Sequence, residues 1–213
     1  MLLIADGVHV LAHSWFPGVE YGRLAPDPYG MKQSERERLA RVALDSIVPW
    51  GGGDRVLRDA RLPSGARAFD DKERRHLTVV RHYVLGLYVI HALGLVGIAA
   101  ATLSRRARPI LRDGLAAGSL LTLGIAAFVG VYVAVSPVSF LGGFHRVFFS
   151  GDSWRFAEAE TLRRLFPDAF WSDTAIVLGA LVALQSLVLL GAVLVWRRQA
   201  IRQPARTALH ARP

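Results

Sequence analysis

The sequence predicts an all-α integral membrane protein. Three clear transmembrane helices and a short N-terminal one form a bundle that carries a helical extracytoplasmic cap. Two observations predict it, and a third limits its chemistry. Apolar residues are 52% of the 213, and they come in long blocks that a soluble core would not need. The net charge of +9 sits mainly in arginines that flank those blocks, as in a membrane protein. Cysteine is absent, which excludes disulfides, zinc-thiolate sites and cysteine nucleophiles. The whole chain, 1–213, reads as a single membrane domain.

A bilayer core of about 30 Å needs about 20 apolar residues in a helix. Residues 84–103 meet this with His91 as the one ionisable group. Residues 115–141 meet it without a charge, and Pro137 near the far end can bend or stop the helix. Residues 175–196 meet it with only Gln185 and Ser186 polar. Small residues recur along all three, including Gly97, Gly124 and Gly191, and such residues let membrane helices approach closely. Residues 1–16 read as the end of a further span, closed by Trp15 and Phe16. At 1.5 Å rise they give about 24 Å, short for a complete crossing. They lack the basic start and small-residue cleavage site of a secretory signal. They are expected to be a first span clipped by a late start codon.

Arginine in short connections sets the orientation. Arg105, Arg106, Arg108 and Arg112 join the second and third spans, and Arg197, Arg198, Arg202, Arg206 and Arg212 follow the last. Both segments are predicted to be cytoplasmic. Segments 17–82 and 142–174 then face outward together. In the first, residues 34–48 predict a helix opened by a capping box of Ser34 and Glu37. Leu39, Val42, Ala43 and Ile47 share its apolar face. In the second, residues 153–166 predict another helix, with Trp154, Ala157, Leu162, Leu165 and Phe166 as its stripe and Glu160–Arg164 as an i,i+4 pair. Either the two lie in the membrane interface or they pack on each other as a cap. Residues 50–72 are predicted to be a polar loop.

There is no GxSxG elbow, HExxH, Walker A or GxGxxG in the chain. Chemistry is left to histidines, acids and hydroxyls. His9 and His13 are four apart but have no evident third metal ligand, and His210 is in the basic tail. His91, inside a span, reads as a neutral histidine bonded to a neighbouring helix. His76 lies eight residues before the second span and His145 four after the third, so the topology brings both to the outer membrane boundary. Two neutral imidazoles there could act as general base and general acid near neutral pH. Surface histidines at an interface are also common. No metal site and no cofactor are expected.

Three stretches carry a family resemblance. FPGVEYGRLAPDPYGMKQSERERLARVAL spans 16–44, KERRHLTVVRHYV spans 72–84, and FHRVFFSGDSWRFAEAETLRRLFPDAFWSD spans 144–173. In order, spacing and span count the chain resembles, over roughly residues 8–196, a family of small bacterial integral membrane proteins that includes the lipoprotein intramolecular transacylases. The resemblance implies an acyltransferase of the outer leaflet of the bacterial cell membrane. Its substrate would be a lipoprotein whose N-terminal cysteine carries a diacylglyceryl thioether. The sn-2 acyl chain would move to the cysteine's α-amine, giving the lyso form. The family's paired histidines match His76 and His145, and the substrate supplies its own nucleophile. A non-catalytic membrane protein that binds lipid or a partner through its outer cap is the alternative. Nucleic acid is not an expected partner, because the arginines flank spans and no basic-aromatic platform accompanies them.

Overall fold

The structure, a computed structural model, describes residues 15–210, with side chains over 16–200. The expectation of a first span, with its His9 and His13, therefore falls largely outside the described residues. Eight helices are described in order: α1 (Trp15–Tyr21), α2 (Gln33–Ile47), α3 (Asp54–Asp59), α4 (Asp71–Leu103), α5 (Arg108–Val135), α6 (Pro137–Phe148), α7 (Thr161–Leu165) and α8 (Asp168–His210). No strand is present among the described residues; a single bridge pairs Arg61 with Arg67. α4, α5 and α8 are long and apolar enough to cross a membrane. The protein is a multi-pass, all-helical membrane protein.

The three crossing helices lie on the expected stretches and run past them at most ends; two of the ends show why. α4 begins at Asp71, so thirteen residues of it stand clear of the apolar stretch 84–103. It starts there because Asp70 and Glu73 form a capping box, each side chain binding the other's backbone N–H at 2.8 Å. α5 ends at Val135, six residues before the expected boundary. Ser136 leaves helical geometry, and Pro137 has no N–H to continue the ladder but opens α6 at its first position.

α5 packs along α8. Ala116, Ser119 and Val133 on one side, and Val182, Ser186 and Val193 on the other, are buried at this contact. These small and β-branched side chains let the two backbones come close. The Ser186 hydroxyl donates to its own helix at Val182 O. α4 differs: beyond Leu77 it has no buried residue, and it meets α5 far more sparsely than α8 does.

At one end of the bundle, α1–α3, the head of α4 and α7 enclose a second core. Tyr21, Leu39, Ala40, Ala43, Leu57, Phe69, Leu162, Leu165 and Phe170 meet there. Of the two expectations for the extramembrane helices, packing on each other is what forms, since α2 contacts α7. Three local expectations are corrected. Ser34 is not a cap, because α2 starts one residue earlier, after Lys32, and Glu37 instead accepts from Gln33. The helix expected over 153–166 shrinks to Thr161–Leu165. Its Arg164 leaves Glu160 and binds the buried carboxylate of Asp27 at 2.8 Å, while Glu160 faces Lys72 at 3.6 Å. Finally, segment 50–72 is not wholly loop, since it holds α3. The reason for the second correction is tertiary: Trp154 is drawn off the helical stripe onto His145, and its neighbour Phe156 packs on His76.

Candidate active site

The cap-side part of α4 and the short helix α6 each present one histidine. His76 lies two turns before the apolar stretch of α4, outside the membrane-spanning segment. His145 lies near the C-terminal end of α6. Their rings face each other with centroids 6.2 Å apart and planes 22° from parallel. The two residues named from the sequence are thus brought together.

Aromatic rings wall the pair. Phe149 stacks on His76 at 4.5 Å, and Phe156 meets it edge-on at 5.2 Å. Trp154 stacks on the other imidazole, 4.8 Å from His145 with planes 21° apart. Gly142, one turn before His145, lies beside the indole: a Cβ there would stand 3.9 Å from Trp154 Cη2, ordinary van der Waals contact. Tyr83, two turns after His76, donates to Phe148 O at 3.0 Å and packs edge-on against Phe148. α4 and α6 are therefore latched beside the histidines.

The segment between α6 and α7 is held in place from α4. Gly151 turns it at φ +58°, in the region that favours glycine. Lys72 Nζ donates to Arg155 O and lies over the Phe156 ring at 4.9 Å. Glu73, buried, accepts the Leu162 N–H at 2.6 Å. One turn of α4 thus supplies both the cap of its own helix and the anchor of the opposing segment. Burial pushes the Glu73 carboxyl up to about 7, against the two backbone N–H groups that favour its ionised form.

The electrostatics keep both imidazoles neutral. Burial, then the facing His145, then Lys72 lower His76 to about 4. Burial also lowers His145, opposed by its hydrogen bond to Leu141 O. That bond, 2.8 Å from Nδ1, fixes the tautomer. A carbonyl only accepts, so Nδ1 carries the proton and Nε2 keeps its lone pair. The ring of His145 is thus oriented by its own helix, with Nε2 left as a hydrogen-bond acceptor. The Nδ1 of His76 is buried without a hydrogen-bond partner. Among the described residues no three His, Asp or Glu side chains gather as metal ligands would.

Below the pair lies apolar surface. Tyr132, near the cap-side end of α5, places its hydroxyl 3.7 Å from where a Cβ on Gly143 would stand. With Phe128, Val131 and Val135 it lines a hollow of about 330 Å³.

A family model described as "Lipoprotein intramolecular transacylase Lit" matches residues 55–171, more than half the chain and the whole of the histidine site. The chain belongs to the lipoprotein intramolecular transacylase family. Membership supports a function of the lipoprotein intramolecular transacylase kind. A protein of Aquifex aeolicus (strain VF5), described as uncharacterized, is 30% identical over 174 residues, 80% of this chain and 78% of that one. The fold is also that of a solved structure, the membrane integral lipoprotein intramolecular transacylase Lit from Bacillus cereus. The two superpose with a TM-score of 0.74 over 96% of this chain and 91% of the other, at 18% identity.

Within this family member, several site residues were not singled out by sequence reasoning. Phe156 stood in the quoted block FHRVFFSGDSWRF without a role, and Trp154 was placed on a helix stripe. Glu73 had a readable signal, since Asp70 and Glu73 have capping-box spacing before an amphipathic run. The sequence does not say that the same carboxylate reaches Leu162.

Proposed function

We propose that this protein transfers the sn-2 acyl chain of a diacylglyceryl-cysteine lipoprotein to the cysteine's own α-amine, using His76 and His145. The observation that carries the proposal is the facing pair of half-buried neutral imidazoles, 6.2 Å apart, in a chain of the transacylase family. The arginine-rich connections orient the cap and the site toward the outer face of the cell membrane, with the C-terminus cytoplasmic.

The reaction needs little machinery, because nucleophile and electrophile belong to one molecule. Holding amine and ester within reach supplies much of the acceleration. The acyl chains lie against the exposed apolar faces of α4 and α5, including the hollow at Phe128 and Val131. The amine attacks the ester carbonyl carbon, and His145 Nε2 takes a proton from the nitrogen. The tetrahedral adduct collapses with cleavage of the bond to the glycerol oxygen, which receives a proton. The ammonium form of the substrate first gives up one proton to solvent; from the neutral amine onward an amide and a free hydroxyl result with no net proton change. His76 faces the same space and is the second proton-transfer group. A depressed pKa suits both roles in one respect: the imidazoles remain uncharged at neutral pH and do not repel the cationic N-terminus of the substrate.

The test is to express the protein in a bacterium that leaves its lipoproteins diacylated, then to fragment a released N-terminal lipopeptide by mass spectrometry. Intact mass is unchanged by the transfer, so fragmentation must locate the chains. The expected product is an N-acylated, monoacylglyceryl cysteine that disappears in His76→Ala and in His145→Ala, a loss of about 100-fold or more. A persistently diacyl product, with the protein confirmed in the membrane, would refute the proposal.

A further inference from the structure

The Trp154 indole carries a buried Nε1 with no hydrogen-bond partner in the protein. An indole nitrogen can only donate. A buried donor left unpaired is costly and uncommon in native structures, and each instance calls for an explanation.

This indole is not loosely placed. One face lies on His145 at 4.8 Å. The Arg155 guanidinium lies over the ring at 5.3 Å from its centroid. The six-membered ring rests at Gly142. The strap that bears it is tied to α4 through the Lys72 bond to Arg155 O and the Glu73 bond to the Leu162 N–H. A rigidly held donor therefore sits beside the imidazole whose Nε2 is left as acceptor by the Leu141 bond. An acyl transfer requires a donor at this place, because negative charge develops on the carbonyl oxygen as the carbon becomes tetrahedral.

We propose that Trp154 is the oxyanion donor of the site: its indole N–H binds the acyl carbonyl oxygen of the substrate ester. The proposal rests on the transacylase reading. As the N–C bond forms, the carbonyl π pair moves onto oxygen and the hydrogen bond from Nε1 strengthens. Trp154 keeps its proton throughout. When the adduct collapses the pair returns, the carbon–glycerol oxygen bond breaks, and the proton taken from the amine goes to that oxygen. The ring also holds His145 in plane, but the assignment concerns the N–H, and the two roles separate cleanly in a phenylalanine variant.

The experiment uses the purified full-length protein in liposomes with a synthetic diacylglyceryl-cysteinyl peptide. Trp154→Phe keeps a flat ring on His145 and removes the donor. The expected result is a kcat lower by about 100-fold or more with KM changed only a few-fold, the pattern of a contact made in the transition state. A kcat within about three-fold of wild type would overturn the assignment. A second measurement does not depend on the variant's folding. The indole ¹⁵N–H signal of Trp154 is identified by single Phe substitutions of Trp15, Trp50, Trp171 and Trp196. The unreactive N-acetylated form of the same lipopeptide, which keeps the ester but has no nucleophile, is then added. A downfield movement of that signal supports the proposal, and an unmoved signal overturns it. If wild type moves no acyl chain while the signal still shifts, the reaction reading fails and carbonyl binding by Trp154 stands. If wild type is active and Trp154→Phe equals it, this assignment alone fails.

Discussion

The cap and the membrane helices of this chain are built from opposite solvents. In the cap, Leu39 and Leu165 are wholly buried, and arginines and acids cover the outside. In the spans, Leu93, Leu121 and Val188 are each about two-thirds exposed, and the buried positions are small or β-branched, such as Ala116, Ser119, Ser186 and Val193. Water drives the first arrangement, whereas lipid gives apolar side chains no reason to hide, so helix contact there depends on close approach. The histidine site lies where the two regimes join. α4 contributes to both: its first thirteen residues belong to the cap and its remainder stands in the bilayer with neither face buried. An imidazole on this junction can be desolvated by the cap and still meet a lipid ester.

The largest expected effect is on the cap alone. Asp27 has a fully buried side chain paired with Arg164. Burial works to raise its pKa, but Arg164 and the Met31 N–H overcome it and hold it below the usual range. Asp27→Ala leaves Arg164 without its partner and should cost about 3–5 kcal/mol. Hydrogen exchange should show amides of α2 and α7 losing protection while those of α5 and α8 keep theirs. Equal loss in both regions would break the comparison.

Leu165→Ala and Leu121→Ala form the next test, since they delete the same atoms in the two environments. In the cap core the change should cost about 2–5 kcal/mol. On α5, where Leu121 is 66% exposed, lipid replaces what is lost, and the change should be within about 0.5 kcal/mol. Thermal unfolding in detergent, followed through the cap aromatics, checks both.

A smaller effect is set by pH. Glu73 has its folded pKa raised to about 7 by burial, from an ordinary value of 4.5. Its contribution to stability is fully present below the unfolded pKa and is lost as pH rises through 7. His76 is shifted the other way, from 6.5 to about 4, and its contribution is present above 6.5 and lost as pH falls through 4. The two oppose one another in wild type, so the difference between wild type and Glu73→Gln isolates the first. That gap in melting temperature should narrow between pH 5 and pH 7.5. A gap that stays flat would mean the carboxylate is ionised in the folded protein at both pH values.

The smallest effect belongs to the cap's rim. Arg55 and Asp59 pair at 3.8 Å with both side chains mostly exposed. Arg55→Ala should move stability by no more than about 0.5 kcal/mol, a change within the error of most melts, against the large cost at Asp27.

Some of this was legible from residues alone. Length and polarity are enough to find a membrane helix, because the bilayer fixes both independently of neighbours. Hence α4, α5 and α8 were readable, as was the break at Pro137, which needs only the missing N–H. The meeting of His76 and His145 was readable as far as depth, because spans bring residues to a common level whatever packs between them. Their facing rings, the Leu141 bond that fixes the tautomer, and the Phe149 and Trp154 walls were not. The region from Gly151 to Glu160 shows why. Its apolar spacing is helical, yet contacts to α4 through Lys72 and Glu73, and the stack on His145, outweigh weak local propensity. Arg164 made the same choice, leaving a half-buried partner one turn away for a fully buried one 137 residues distant. The sequence by itself determined where the chain crosses the bilayer and at what depth its histidines lie, since those depend on composition and rise per residue. Tertiary structure decided which rings touch and which nitrogens are left to act, since those depend on groups far apart in the chain competing for the same few ångströms.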